Sequence, residues 1–97
     1  MKSFQIIVTS SNSPLEIPLN PRGGDVAIGA TPSGSGDYTV EFTITPQQQG
    51  LTNNYFPISI MTGVLTAEQQ AIGPATAILV TLNSGTDVTI DLAQSDV

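Results

Sequence analysis

The sequence predicts an all-β fold, a small antiparallel sandwich or jelly-roll-like domain of about seven strands with at most one short helical turn. Three observations carry that expectation. Wherever the chain is regular, apolar and polar residues alternate with a period of two, which puts one strand face in a core and the other in water. Pro, Gly and Asn punctuate the regular stretches at intervals of roughly 12 residues, the spacing of a sandwich or barrel. Only one stretch carries a helix signal, and it is short.

Along the chain, Phe4, Ile6 and Val8 begin the first strand, and weaker extended segments follow at residues 15–19 and 25–30. The clearest strand comes next: Tyr38, Val40, Phe42 and Ile44 fall on one face, Thr39, Glu41, Thr43 and Thr45 on the other. Residues 56–61 form another weak segment. Thr66, with Gln69 three positions later, makes a capping box for a single helical turn over 66–70, which Gly73-Pro74 stops at once. Ala77–Leu82 is apolar on both faces and reads as a central strand, whereas Val88, Ile90 and Leu92 alternate with Thr89 and Asp91 in the last one. Asn83-Ser84-Gly85-Thr86 between these two has the chemistry of a hairpin turn. The reading is of one domain spanning 1–97, with polar loops near 31–36 and 47–54. Edge strands are normally guarded by lysine, and the single lysine is Lys2, so the prolines at strand ends must blunt the edges or neighbouring subunits must cover them.

Composition excludes much chemistry. Of 97 residues 10% are charged, only Lys2 and Arg22 are positive, and the net charge is -6. That balance cannot neutralise a run of phosphates, so no nucleic-acid partner is expected. There is no His, Cys or Trp, which removes most side chains used for proton transfer near neutral pH, thiol chemistry and transition-metal binding. No apolar stretch approaches the roughly 20 residues of a membrane span, and no signal peptide is visible, so synthesis in a cytoplasm and no membrane partner are expected.

The remaining constellations read as surface or turn. A catalytic serine would have only Lys2 as its base, at the chain terminus. Asp87 and Asp91 share one strand face that points to solvent, where charges are ordinary. The glycines of Ser33-Gly34-Ser35-Gly36-Asp37 precede a strand rather than a helix and lack a phosphate-loop lysine. Asn83 and Asp87 offer oxygen ligands for calcium but only one local carboxylate. We therefore expect no enzyme, no catalytic residue, no metal and no cofactor. Amides at Gln47-Gln48-Gln49 and Asn53-Asn54 flank Tyr55 and Phe56, either a surface loop folded back on the core or a contact patch with aromatic anchors.

Residues 37–44 (DYTVEFTI), 66–82 (TAEQQAIGPATAILVTL) and 83–92 (NSGTDVTIDL) together resemble the small β-rich virion structural proteins of tailed bacteriophages, the head decoration or cement type. In that group a Thr-rich strand is followed by a loop with an aromatic, a Gln-containing segment leading to Gly-Pro, and a closing hairpin. This chain departs from it in offering Tyr55 and Phe56 where the loop aromatic is often Trp, and in carrying Asp91 where an uncharged residue is expected. The resemblance implies a non-enzymatic capsid decoration protein on the virion exterior, partnered by the major capsid protein and itself a homo-oligomer, a trimer favoured. A surface poor in ions suits burial in such contacts. The candidate contact residues are Phe4, Ile7, Tyr55 and Phe56, the first two because an N-terminal strand can add to a neighbour's sheet. The alternatives are a carbohydrate- or host-surface-binding module and a neck or tail structural component.

Overall fold

Among the described residues the chain forms eight strands, with burial alternating most clearly in the third and the last: β1 (Lys2–Val8), β2 (Leu15–Pro18), β3 (Val26–Pro32), β4 (Tyr38–Thr43), β5 (Tyr55–Pro57), β6 (Glu68–Ile72), β7 (Ala77–Leu82) and β8 (Val88–Gln94). The structure, a computed structural model, describes residues 2–20, 23–34, 37–44, 52, 54–58, 61–63, 66–85 and 87–95, without the side chains of Lys2 and Phe4.

The strands form two antiparallel sheets of four, in the orders β1-β8-β3-β6 and β2-β7-β4-β5. Pairing is nested: first with eighth, second with seventh, third with sixth, fourth with fifth. β8 also pairs with β3, and β7 with β4. Apart from β4 and β5, each successive strand crosses to the other sheet, which is the wrapping of a jelly roll. The all-β expectation holds, with β7 central as its two apolar faces require.

Between the sheets lies one core. Val26, Ile28, Val88 and Ile90 enter it from the first sheet, Tyr38, Val40, Ile78 and Val80 from the second, and Met61 from a loop. Among the described residues two polar side chains, Thr43 and Gln94, are also buried. Gln94 is 4% exposed, donating from Nε2 to the Asn20 carbonyl at 2.8 Å and accepting at Oε1 from the Asn20 amide at 3.0 Å. Its amide thus stands in for a ladder partner and pins the β2–β3 connection to the end of β8. Gly23 makes room for it, since a Cβ there would sit 2.5 Å from Gln94 Nε2.

Three expectations need correction. The helical turn at 66–70 is replaced by β6, which pairs with β3 from Val26↔Ile72 to Ala30↔Glu68. An isolated turn gains one or two hydrogen bonds at the full cost of nucleation, whereas the ladder satisfies the backbone and half-buries Ile72. The capping-box threonine binds locally instead, Thr66 Oγ1 donating to Glu68 Oε1 at 3.2 Å. The turn after β7 is not a hairpin, because both neighbours of β7 are already β2 and β4, and β8 belongs to the other sheet. Gly85 takes the positive φ of 61° that this crossing needs, and Thr86 lies outside the described residues. In place of the strand expected at 56–61 stands the short β5, ended by Pro57; beyond it Ile58 and Met61 are buried, the Met61 amide donating to the Ile58 carbonyl at 2.8 Å. Residues 59–60 lie outside the described set.

Smaller shifts follow the same logic. Thr31 and Pro32 belong to β3 rather than to a loop, and Ile44 falls past the end of β4, where it is exposed. Of the loop at 47–54, only Thr52 and Asn54 are among the described residues.

The four sheet edges are guarded unequally. β2 is four residues long and ends in Pro18, and β5 is three residues long and ends in Pro57. β6 has five residues, mostly polar, and runs into Gly73-Pro74. β1 has seven residues, no proline and no glycine, and its one charged residue is Lys2 at its start.

Candidate functional site

The four residues that the sequence nominates do not converge. Phe4 and Ile7 lie on β1, at an edge of the first sheet, while Tyr55 and Phe56 lie on β5, at an edge of the second. Phe4 pairs in register with the buried Leu92, and its side chain is outside the described set. Ile7 points outward and is 53% exposed. Tyr55 is committed inside the fold: its hydroxyl donates to the Glu16 carboxylate on β2. Because β5 and β2 are opposite edges of one sheet, this bond straps the outer face over β4 and β7, where Thr43 and Ala77 are fully buried. Phe56 is 46% exposed and meets Phe42 at 5.8 Å between ring centroids, tilted by 40°.

A different feature is built into the outer face of the first sheet. The register places Gln5, Asp91, Gly29 and Gln69 in one row across all four strands. The next row is Ser3, Ala93, Ala27 and Ala71. Small side chains over twisted strands leave a shallow concavity of about 890 Å3. Asp91 stands near its middle on β8, with Gln5 Nε2 donating to Asp91 Oδ1 at 2.7 Å. Among the described residues Asp91 Oδ2 accepts no hydrogen bond, and the exposed amide of Gln69 makes none.

Charge near this face is acidic. Glu68 lines the same concavity at its β6 side. It also faces Tyr38, whose phenol is pushed above its ordinary range by burial and then by the Glu68 carboxylate. The Tyr38 hydroxyl donates to the Thr66 carbonyl at 2.8 Å, which fixes the approach to β6.

Elsewhere the polar groups serve turns. In the oxygen-rich loop around Asn83 and Asp87, the Asn83 side-chain Nδ2 donates to Thr39 Oγ1 at 2.8 Å, and the Asp87 backbone carbonyl accepts from the Ser33 amide at 2.9 Å. Among the described residues no three His, Cys, Asp or Glu side chains gather as a metal site would require. None of the described helices is long and apolar enough to cross a membrane, since the regular structure described is all strand.

Sequence reasoning singled out Asp91 as a departure but missed Gln5, Gly29 and Gln69 as its companions. Only Gly29 carried a local signal, a glycine inside a strand, which marks a bulge or a close approach.

Among the described residues, fold and site together define an eight-stranded jelly roll with a shallow concavity of mixed polar and apolar lining on one outer sheet face and, beside it, the β1 edge without proline or glycine. No family model matches the chain, and no curated protein is similar to it.

Proposed function

We propose that the chain is a non-enzymatic structural protein of a phage virion, a head decoration or cement protein that binds the major capsid protein on the outside of the shell and stabilises it. The observation that carries this reading is the β1 edge, seven residues long and free of proline while the other three edges are short, polar or proline-blocked. An edge of that kind is completed by a strand from a neighbour, and the outward Ile7 supplies an apolar contact beside it. The sequence resemblance supports the same reading, as does a jelly-roll wrapping, which recurs in viral capsids among other proteins. Low charge lets such a contact form with few desolvated ions, and a net charge of -6 suits a surface turned away from DNA. In this reading the free protein is a homo-oligomer, a trimer favoured, and its action is linkage: a ligand of the assembled shell alone raises that shell's stability by its binding free energy.

Mass spectrometry and imaging of purified particles test this directly. The chain should be present on heads, and heads lacking it should lose heat resistance that added wild-type protein restores. Ile7→Lys should fail to restore it while changing the protein's own stability by no more than about 0.5 kcal/mol, as exposed substitutions do. Particles whose heads carry no copies reject the proposal.

A further inference from the structure

The concavity on the β1-β8-β3-β6 sheet has no role in edge pairing, and Gly29 is the residue that points to an occupant. It lies inside β3, a central strand, where glycine weakens the sheet relative to alanine. Neither usual reason for keeping it applies. Its φ is outside the left-handed region, and a Cβ would meet only Asp91 Cβ at 3.8 Å, an ordinary contact. What the missing side chain does is leave the floor bare between Asp91 and Gln69, which stand about 10 Å apart across two strand spacings.

We propose that this concavity is a binding site for a neutral saccharide, with Asp91 and Gln69 holding hydroxyls on either side of Gly29. The backbone groups of β3 and β8 are consumed by their ladders, so the face offers partners only through side chains. Gln5 fixes the carboxylate of Asp91 through Oδ1, leaving Oδ2 to accept, and the amide of Gln69 both donates and accepts. A sugar hydroxyl likewise does both, so a run of hydroxyls matches an amide–carboxylate–amide row. Competing chemistries fit worse. A phosphate or sulfate would face Asp91 and Glu68 with no cation among the described lining residues. A peptide must satisfy an N–H and a C=O at nearly every residue, and the floor strands β3 and β8 are paired on both sides and have no ladder groups left to meet them. The volume of about 890 Å3 lies in the range of small-ligand sites.

The test uses the isolated full chain, so its outcome is independent of where the protein sits in a particle. A printed array of neutral bacterial and plant oligosaccharides should give a binder, and titrating that oligosaccharide should shift the backbone amide NMR signals of Gln5, Gly29, Gln69 and Asp91. Asp91→Ala should lower affinity at least tenfold. Gly29→Ala should do the same while leaving the unfolding midpoint unchanged or raised, a combination that a purely structural glycine does not produce. Phe56→Ala, on the other sheet, should bind as the wild type does. Lack of any binder on the array, shifts centred away from the concavity, or wild-type affinity in Gly29→Ala each overturn the proposal.

Discussion

At the scale of single residues, Tyr38 joins the two kinds of work that this fold asks of polar groups. Its ring is fully buried among aliphatic side chains, and its hydroxyl satisfies the Thr66 carbonyl just before β6. Burial first, and Glu68 second, raise its pKa above the ordinary value of about 10. Since the folded value exceeds the unfolded one, the linked stability is complete below about pH 10 and is lost as pH rises from there through the folded value. Tyr38→Phe removes that alkaline loss and orphans a carbonyl. It should be less stable than wild type by about 1–3 kcal/mol at neutral pH, with a flatter decline above about pH 10, read from urea midpoints across that range. Residue identity was a good guide for Tyr38, whose place in an alternating strand marks it as core. It was a poor guide for Tyr55, because the strap to Glu16 joins strands that are far apart in sequence and only the sheet order brings together.

Elements were readable where both faces of a strand have distinct environments. β4 and β8 follow from their own alternation, and β7 from being apolar on both faces. β6 does not, because Glu68, Gln69, Gln70 and Ala71 are polar or small on both faces and its identity is decided by β3, some 40 residues upstream in the register Ala27↔Ala71. This gives a test of opposite sign for strand and helix. Ala71 is exposed on an edge strand, so Ala71→Thr should raise stability by up to about 1 kcal/mol on the β-propensity scale, read as a higher thermal midpoint. In a helical turn the same change would lower it, because threonine is the poorer helix former. The crossing after β7 failed for a related reason: Ser84-Gly85 has turn chemistry, but turn chemistry does not say which sheet receives the next strand. The concavity was hidden for the same cause, since Gln5, Gly29, Gln69 and Asp91 become one row only after three separate registers are set.

For the whole molecule, the nested pairing governs how the chain finds its fold. Among the described strands β4 and β5 are the only consecutive ones that pair, and every other pairing closes a longer loop. Folding dominated by such contacts is slow, so refolding measured by stopped-flow fluorescence of the tyrosines should fall in the millisecond-to-second range rather than in microseconds. The same nesting leaves β1 and β8 as the outermost pair, with Lys2 directly opposite Gln94. A pull applied between those two positions would peel the β1·β8 ladder open one hydrogen bond at a time, because both ends of the load sit at the same end of the ladder. A load spread over the sheet faces or along the free side of β1 meets many bonds at once. In mechanical terms, this is a part to be gripped by its flanks, and its weakest direction is the one that runs through its ends.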